Sequence, residues 1–204
     1  MNMKLTEEIG DVLYDYGSGL YANITNRCPC ACEFCIRTMT DSLGSADSLW
    51  LKREPTPEEV IEMLGDWDLS KYEELVFCGY GEPMERLEDL LTIARWIKKN
   101  TDLKVRINTN GLGDLINGRP VEPELAGVID AVSVSLNQSD AQKYNDLCHP
   151  KFGIESYDAM LDFTREVKKY VPRVAMSVVG VIPQEDIDRC ASIAEELDVP
   201  FRVR

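Results

Sequence analysis

The sequence predicts an α/β protein whose parallel strands wind into an open, partial barrel. Three observations carry this reading. Short runs rich in β-branched residues recur along the 204 residues, amphipathic helical stretches separate them, and the βα units number about six where a closed barrel needs eight.

The strand candidates, in order, are Leu20–Thr25, Glu74–Cys78, Lys104–Asn108, Ala131–Leu136, Val174–Val181 and Phe201–Val203. Thr56-Pro57-Glu58-Glu59 reads as a capping box with proline at the first helical position, opening a helix towards Leu64. Leu87, Leu90, Leu91 and Ala94 recur at helical spacing and form one apolar face. Ser139-x-x-Gln142 is a second capping-box pattern, before a short helix ending near Cys148. Further stripes start at Tyr157, Met160, Leu161 and Thr164, running to Val171, and at Ile187, Cys190, Ala191, Ala194 and Leu197. Regular alternation of this kind means right-handed βαβ crossovers and a parallel sheet.

No repeat, low-complexity tract or linker interrupts the pattern, so residues 1–204 are expected to form a single domain. The first residues are acidic and lack the basic start and apolar run of a secretory signal. No apolar stretch approaches the ~20 residues that span a bilayer, and a cytoplasmic location is the expectation. A net charge of −14 disfavours nucleic acid as a partner, because such a surface repels phosphate backbones. Arg27, Arg37, Lys52 and Arg53 gather near the cysteines and are expected to act as local charge beside a cofactor.

In parallel α/β architectures the site lies beyond the carboxyl ends of the strands. That rule selects residues 26–37, 79–83, 108–111, 135–138 and 180–183. The first lies in a long loop from Cys28 to Pro55, and a loop beyond ~12–15 residues calls for a function or is disordered. A second long loop runs from Gly111 to Glu122.

Seven cysteines are present, and Cys28, Cys30, Cys32 and Cys35 crowd into eight residues. A disulfide framework spreads its cysteines to staple distant segments, so this crowding points to metal or redox chemistry. Cys28, Cys32 and Cys35 have the spacing C-x3-C-x2-C, with an aromatic residue before the last. Three thiolates on a compact loop would leave one iron of a cubane cluster without a protein ligand, free to be chelated by a small molecule. Cys30 leaves zinc or a fully ligated cluster open as alternatives, although structural zinc usually takes two separated pairs of ligands. The second strand candidate ends in Gly79-Tyr80-Gly81-Glu82-Pro83, either a plain turn or a place where a carboxylate accepts from an ammonium group. Asn108-Thr109-Asn110-Gly111 ends the third and reads equally as an Asn-Gly turn or as a polar rim. Ser133, Ser135 and Asn137 alternate along the fourth, so all three are expected on one face.

A CxxxCxΦC loop after one strand and Gly-Glu-Pro after the next together resemble the radical S-adenosylmethionine (SAM) superfamily. The resemblance implies a partial (β/α)6, TIM-like barrel, a [4Fe–4S] cluster and SAM, and an oxygen-sensitive enzyme that cleaves SAM reductively and takes hydrogen from a substrate. By position it implies iron ligation by Cys28, Cys32 and Cys35, adenine packing by Phe34, and amino-group binding by Gly81, Glu82 and Pro83. Asn108, Asn110, Ser135 and Asn137 would meet the SAM carboxylate or ribose, and the backbone around Gly180 and Val181 the adenine. Tyr80 departs from the family's usual Gly-Gly-Glu. The passages NxTNRCxxxCxFCxR, FCGYGEP, INTNGLGDLINGR and PFRVR are similar to a TatD-associated subgroup, which implies a functional link to a TatD-type nuclease.

The substrate expected from an open barrel is a peptide, a protein loop or a large metabolite, and the electron donor a flavodoxin or ferredoxin. Activation of a glycyl-radical enzyme and modification of a small heterocycle both suit a minimal barrel. A zinc or iron–sulfur interaction module partnering the nuclease is the alternative of another class. His149 is expected at a helix end on the surface, Cys190 in the core and Cys78 in strand packing, while Arg202 and Arg204 could reach the cofactor mouth.

Overall fold

A computed structural model describes residues 3–204. In chain order the elements are α1 (Met3–Ile9), β1 (Leu13–Tyr16), β2 (Gly19–Ala22), α2 (Pro57–Leu64), β3 (Glu74–Phe77), α3 (Leu87–Asn100) and β4 (Lys104–Thr109). They continue with α4 (Gly113–Asn117), α5 (Glu122–Leu125), β5 (Ala131–Ser135), α6 (Ala141–Cys148), α7 (Glu155–Val167), β6 (Arg173–Val178), α8 (Gln184–Glu196) and β7 (Phe201–Val203). The seven strands lie in one sheet in sequential order. β1 pairs antiparallel with β2, and every later pair is parallel.

Sequential order means that each crossover adds a strand on the same side, as in a barrel, whereas a doubly wound sheet reverses part-way. β1 and β7 remain edges, so the barrel is partial and open. The six parallel strands β2–β7 match the six expected from sequence. β1 was not expected: Tyr-Asp-Tyr-Gly-Ser-Gly-Leu-Tyr folds as a hairpin, with Gly17 at φ 62° in its turn.

Alternation within each strand separates two faces. Val105, Ile107, Val132, Val134, Val174 and Met176 are buried beneath the helices. Arg106 and Asn108 on β4, and Ser133 and Ser135 on β5, have the opposite parity and face the lumen. A closed barrel of this type fills its lumen with branched apolar side chains. The polar lumen here is a departure that packing does not explain.

α2 begins as expected: Thr56 Oγ1 accepts from the Glu59 amide at 3.3 Å, and the Glu59 carboxylate accepts from the Thr56 amide at 2.8 Å. The second capping box does not form. Asp140 caps α6 by accepting from the Lys143 amide, because the Ser139 hydroxyl donates to Asp186 at 2.7 Å instead. The Gly111–Glu122 loop contains the short helix α4. β6 stops at Val178 rather than Val181, since the chain turns there with the Val181 amide bonded back to the Val179 carbonyl at 2.8 Å. β5 stops at Ser135 because Asn137 turns to φ 59° and the Gln138 amide bonds back to the Leu136 carbonyl. No described helix is long and apolar enough to cross a membrane.

Candidate functional site

The five segments selected from sequence follow the carboxyl ends of β2 to β6, so the fold gathers them at one end of the sheet. The cysteine loop there is anchored along its length. The Asn26 side chain accepts from the Leu51 amide at 3.1 Å and donates to the Leu51 carbonyl at 2.7 Å. Asn23 donates to the Leu49 carbonyl at 2.8 Å, and the Asp11 carboxylate accepts the amides of Asp47 and Ser48. Tyr80 is buried with Tyr14, Ala46 and Leu49, and its hydroxyl donates to the Thr40 carbonyl. The residue replacing the family's usual glycine is thus a peg beneath the long loop.

The four cations near the cysteines are not all cofactor charges. Arg27 pairs with Glu54 and Glu85, Arg53 pairs with Glu59 and Glu8, and Lys52 donates to the Glu7 carbonyl. Only Arg37 reaches the cysteine segment, donating to the Cys30 carbonyl at 3.3 Å. The other three stitch the loop to its surroundings. Arg86, which the sequence reading passed over, donates to the carbonyls of Ile24 and Pro55 and so closes both ends of that loop.

Gly81 is dictated by backbone contact. A Cβ there would overlap the Thr25 carbonyl oxygen and lie 2.6 Å from that of Arg27. The turn after β3 therefore presses on the segment leading into the cysteines, and the Glu82 amide donates to the Arg27 carbonyl at 2.8 Å. Glu82 is 4% exposed. Its Oε1 accepts from Thr109 Oγ1 at 2.8 Å and from the Met84 amide at 3.1 Å, and its Oε2 accepts from the Asn110 amide at 2.7 Å. Burial outweighs these donors and pushes its carboxyl up to about 7. Oε2 keeps capacity for a further donor. Pro83 begins the short 3-10 turn that Glu82 caps.

Cys28, Cys32 and Cys35 are half-buried, whereas Cys30 and Cys148 are buried. A hydrogen bond from Cys30 lowers Cys28, and bonds from Cys148 and then Cys30 lower Cys32 to about 4. Cys30 and Cys148 are raised by donating those same bonds, while desolvation raises Cys35. Cys28 and Cys32 are therefore predisposed to the thiolate form that binds metal, and Cys30 and Cys148 to remain thiols beside them. Among the described residues no three His, Cys, Asp or Glu side chains are grouped as single-ion ligands would be.

Cys148 is the residue the sequence reading missed. The end of α6 lies along the cysteine loop: the amides of Ala31 and Glu33 donate to the carbonyls of Cys148 and Leu147 at 3.0 and 3.1 Å, and the Lys151 amide donates to the Pro29 carbonyl at 2.7 Å. His149, in the left-handed cap of α6 at φ 43°, lies 3.2 Å from Glu33, a surface helix end as expected. A cysteine at a predicted helix end, left over from the cluster motif, was the available signal.

The remaining sites divide. Asn110 donates to Cys30 Sγ at 3.7 Å, and Asn137 to Cys148 Sγ at 3.8 Å. Asn137 has left the strand at φ 59°, so strand alternation with Ser133 and Ser135 does not extend to it. Its Oδ1 and the Ser177 Oγ are buried without a partner. Ser135 accepts from Arg204 at 3.0 Å, and Asn108 accepts from Arg106 at 2.9 Å, both in the lumen. Cys78, also on the lumen side, is raised by burial and meets Asn108. Phe34 packs part-buried against the main core, Gly180 and Val181 are exposed, and Cys190 is buried on the inner side of α8.

The sequence profile of the Radical SAM superfamily matches residues 22–197. Among solved structures, a radical SAM methyltransferase from Sphaerobacter thermophilus is similar at TM-score 0.65 and 16% identity, over 94% of this chain and 68% of the other. No curated protein sequence matches.

Proposed function

The chain belongs to the radical SAM superfamily and is an enzyme; from that premise we propose that it cleaves SAM reductively and takes hydrogen from a substrate not yet identified. The observation that carries this reading is the juxtaposition of the half-buried Cys28, Cys32 and Cys35 loop with the Gly81-Glu82 turn, whose Glu82 amide donates to the Arg27 carbonyl at 2.8 Å.

The residues present suit both cofactors. Cys28, Cys32 and Cys35 would hold three irons of a [4Fe–4S] cluster, their thiols standing half-buried on one loop. The unpartnered Oδ1 of Asn137 and Oγ of Ser177 need polar partners, which a bound nucleoside would provide. With both bound, the cofactors would supply reductive cleavage of a carbon–sulfur bond of SAM. The chain's own part is positional. Glu82 offers Oε2 to the methionine ammonium, and that cation would draw its carboxyl back to the ionised form. The Gly81 contact sets the distance between the Glu82 turn and the cysteine loop.

A flavodoxin or ferredoxin donor and a link to a TatD-type nuclease belong to the same proposal, on the strength of the sequence resemblance alone. Anaerobic reconstitution tests it: iron and sulfide uptake with a brown chromophore, and an electron paramagnetic resonance spectrum of the reduced cluster that changes when SAM is added. A colourless chain holding zinc contradicts it.

A further inference from the structure

A cavity of about 620 Å³ enters the lumen from the amino ends of the strands, opposite the cysteine loop. Glu74, Ala131, Arg173 and Phe201 on its wall open their strands, and the segments before β6 and β7 complete its rim. The volume falls within the range of small-molecule sites.

Its charge is opposite to that of the chain. The ionisable groups on the wall are Arg106, Lys168, Arg173, Arg202, Glu74 and Asp198, four cations against two carboxylates in a protein of net charge −14. Both carboxylates are already committed. Glu74 holds Arg106 at 2.7 Å, and Asp198, almost fully exposed, pairs with Lys168 at 3.4 Å. Arg173 and Arg202 reach no carboxylate among the described residues; Arg202 crosses the inner face of β6 to donate to the Ser133 hydroxyl at 2.9 Å. One layer higher, Arg204 makes the equivalent bond to Ser135 at 3.0 Å. Desolvation lowers the Arg204 guanidinium, and Arg202 and Arg106 nearby lower it further. Crowding like charges costs energy unless an anion joins them. Guanidinium forks match the paired oxygens of carboxylate and phosphate.

We infer that the lower lumen is a binding site for an oxyanion-bearing small molecule, its carboxylate or phosphate held by Arg202 and Arg173. Under the function proposed above, that molecule is the substrate. Ser133 and Ser135 are two residues apart on β5, so the anion would lie roughly 7 Å below the strand-end layer, with the rest of the molecule reaching towards the cysteine end.

Citrate and pyrophosphate serve as probes, titrated calorimetrically at low ionic strength. One series uses the chain as purified, and another the chain carrying its cluster and saturating SAM. At least one probe is expected to bind at a single site in both series. Arg202→Gln and Arg173→Gln should each weaken it by about tenfold or more, with circular dichroism unchanged. Arg173 is exposed and without a carboxylate partner, so its replacement leaves the fold intact even if that of Arg202 does not. Absence of binding by both probes, indifference to the Arg173 replacement, or loss of the site when SAM saturates would overturn the inference; the last would reassign the arginines to the SAM carboxylate. A chain that binds the anions yet takes up no cluster would instead count against the proposed function.

Discussion

Oε2 of Glu82 accepts the backbone amide of Asn110 at 2.7 Å, joining the ends of β3 and β4 beneath the cysteine loop. A carboxylate so deeply placed has a measurable signature. Its pKa is raised above the unfolded value, so the native state holds the proton longer than the unfolded chain does. The resulting stability is complete below pH 4.5 and declines as pH rises to about 7, by about 3 kcal/mol. Urea unfolding of the cluster-free chain across that window should show the decline, and Glu82→Gln should flatten it. Equal slopes in both proteins would contradict the burial argument.

Gly81→Ala places a methyl group against two backbone carbonyls that cannot swing aside. The expected loss is about 2–3 kcal/mol, read as a lower urea midpoint at unchanged slope. An unaltered midpoint would mean that the turn after β3 does not press on Thr25 and Arg27.

The thiols should respond in two classes. Cys28→Ala, Cys32→Ala and Cys35→Ala are expected to abolish iron uptake on anaerobic reconstitution. Cys30→Ala and Cys148→Ala should retain iron, because the proposed ligand set leaves both as buried thiols beside it. Loss of iron from Cys30→Ala would show that the ligand set is wrong.

Tyr80 separates anchoring from cofactor contact. Tyr80→Phe removes only the bond to the Thr40 carbonyl and should cost about 1 kcal/mol while speeding hydrogen exchange in residues 40–50. Tyr80→Gly restores the family's usual pattern but removes a buried ring that packs edge-on against Trp50, at a cost of about 3–5 kcal/mol. If Tyr80→Gly proved the more stable, the ring would not be a peg.

The parallel sheet was legible because six apolar runs and the helices between them are local patterns that burial reinforces. β1 was not, since a four-residue edge strand carries no periodicity long enough to register and depends on pairing with β2. Residues 139–142 show the limit of local rules: the pattern for a capping box is present, but Asp186, far along the chain, captures the Ser139 hydroxyl. The site was legible where chemistry demands spacing, as in the cysteine triplet and Gly-Glu-Pro. It was illegible where a side chain's role depends on its neighbours in space. Arg27, Lys52 and Arg53 read as cofactor charge yet bind the loop, and Cys148 read as a helix end yet lies against Cys32.

The central claim is that the polypeptide holds a cluster with three thiolates so that SAM completes it. Its most direct test is to reduce the anaerobically reconstituted chain with dithionite in the presence of SAM and to assay 5′-deoxyadenosine by liquid chromatography and mass spectrometry. The account predicts 5′-deoxyadenosine and methionine from the unmodified chain and neither from Cys32→Ala. A fully loaded, reduced chain that forms no 5′-deoxyadenosine would contradict it.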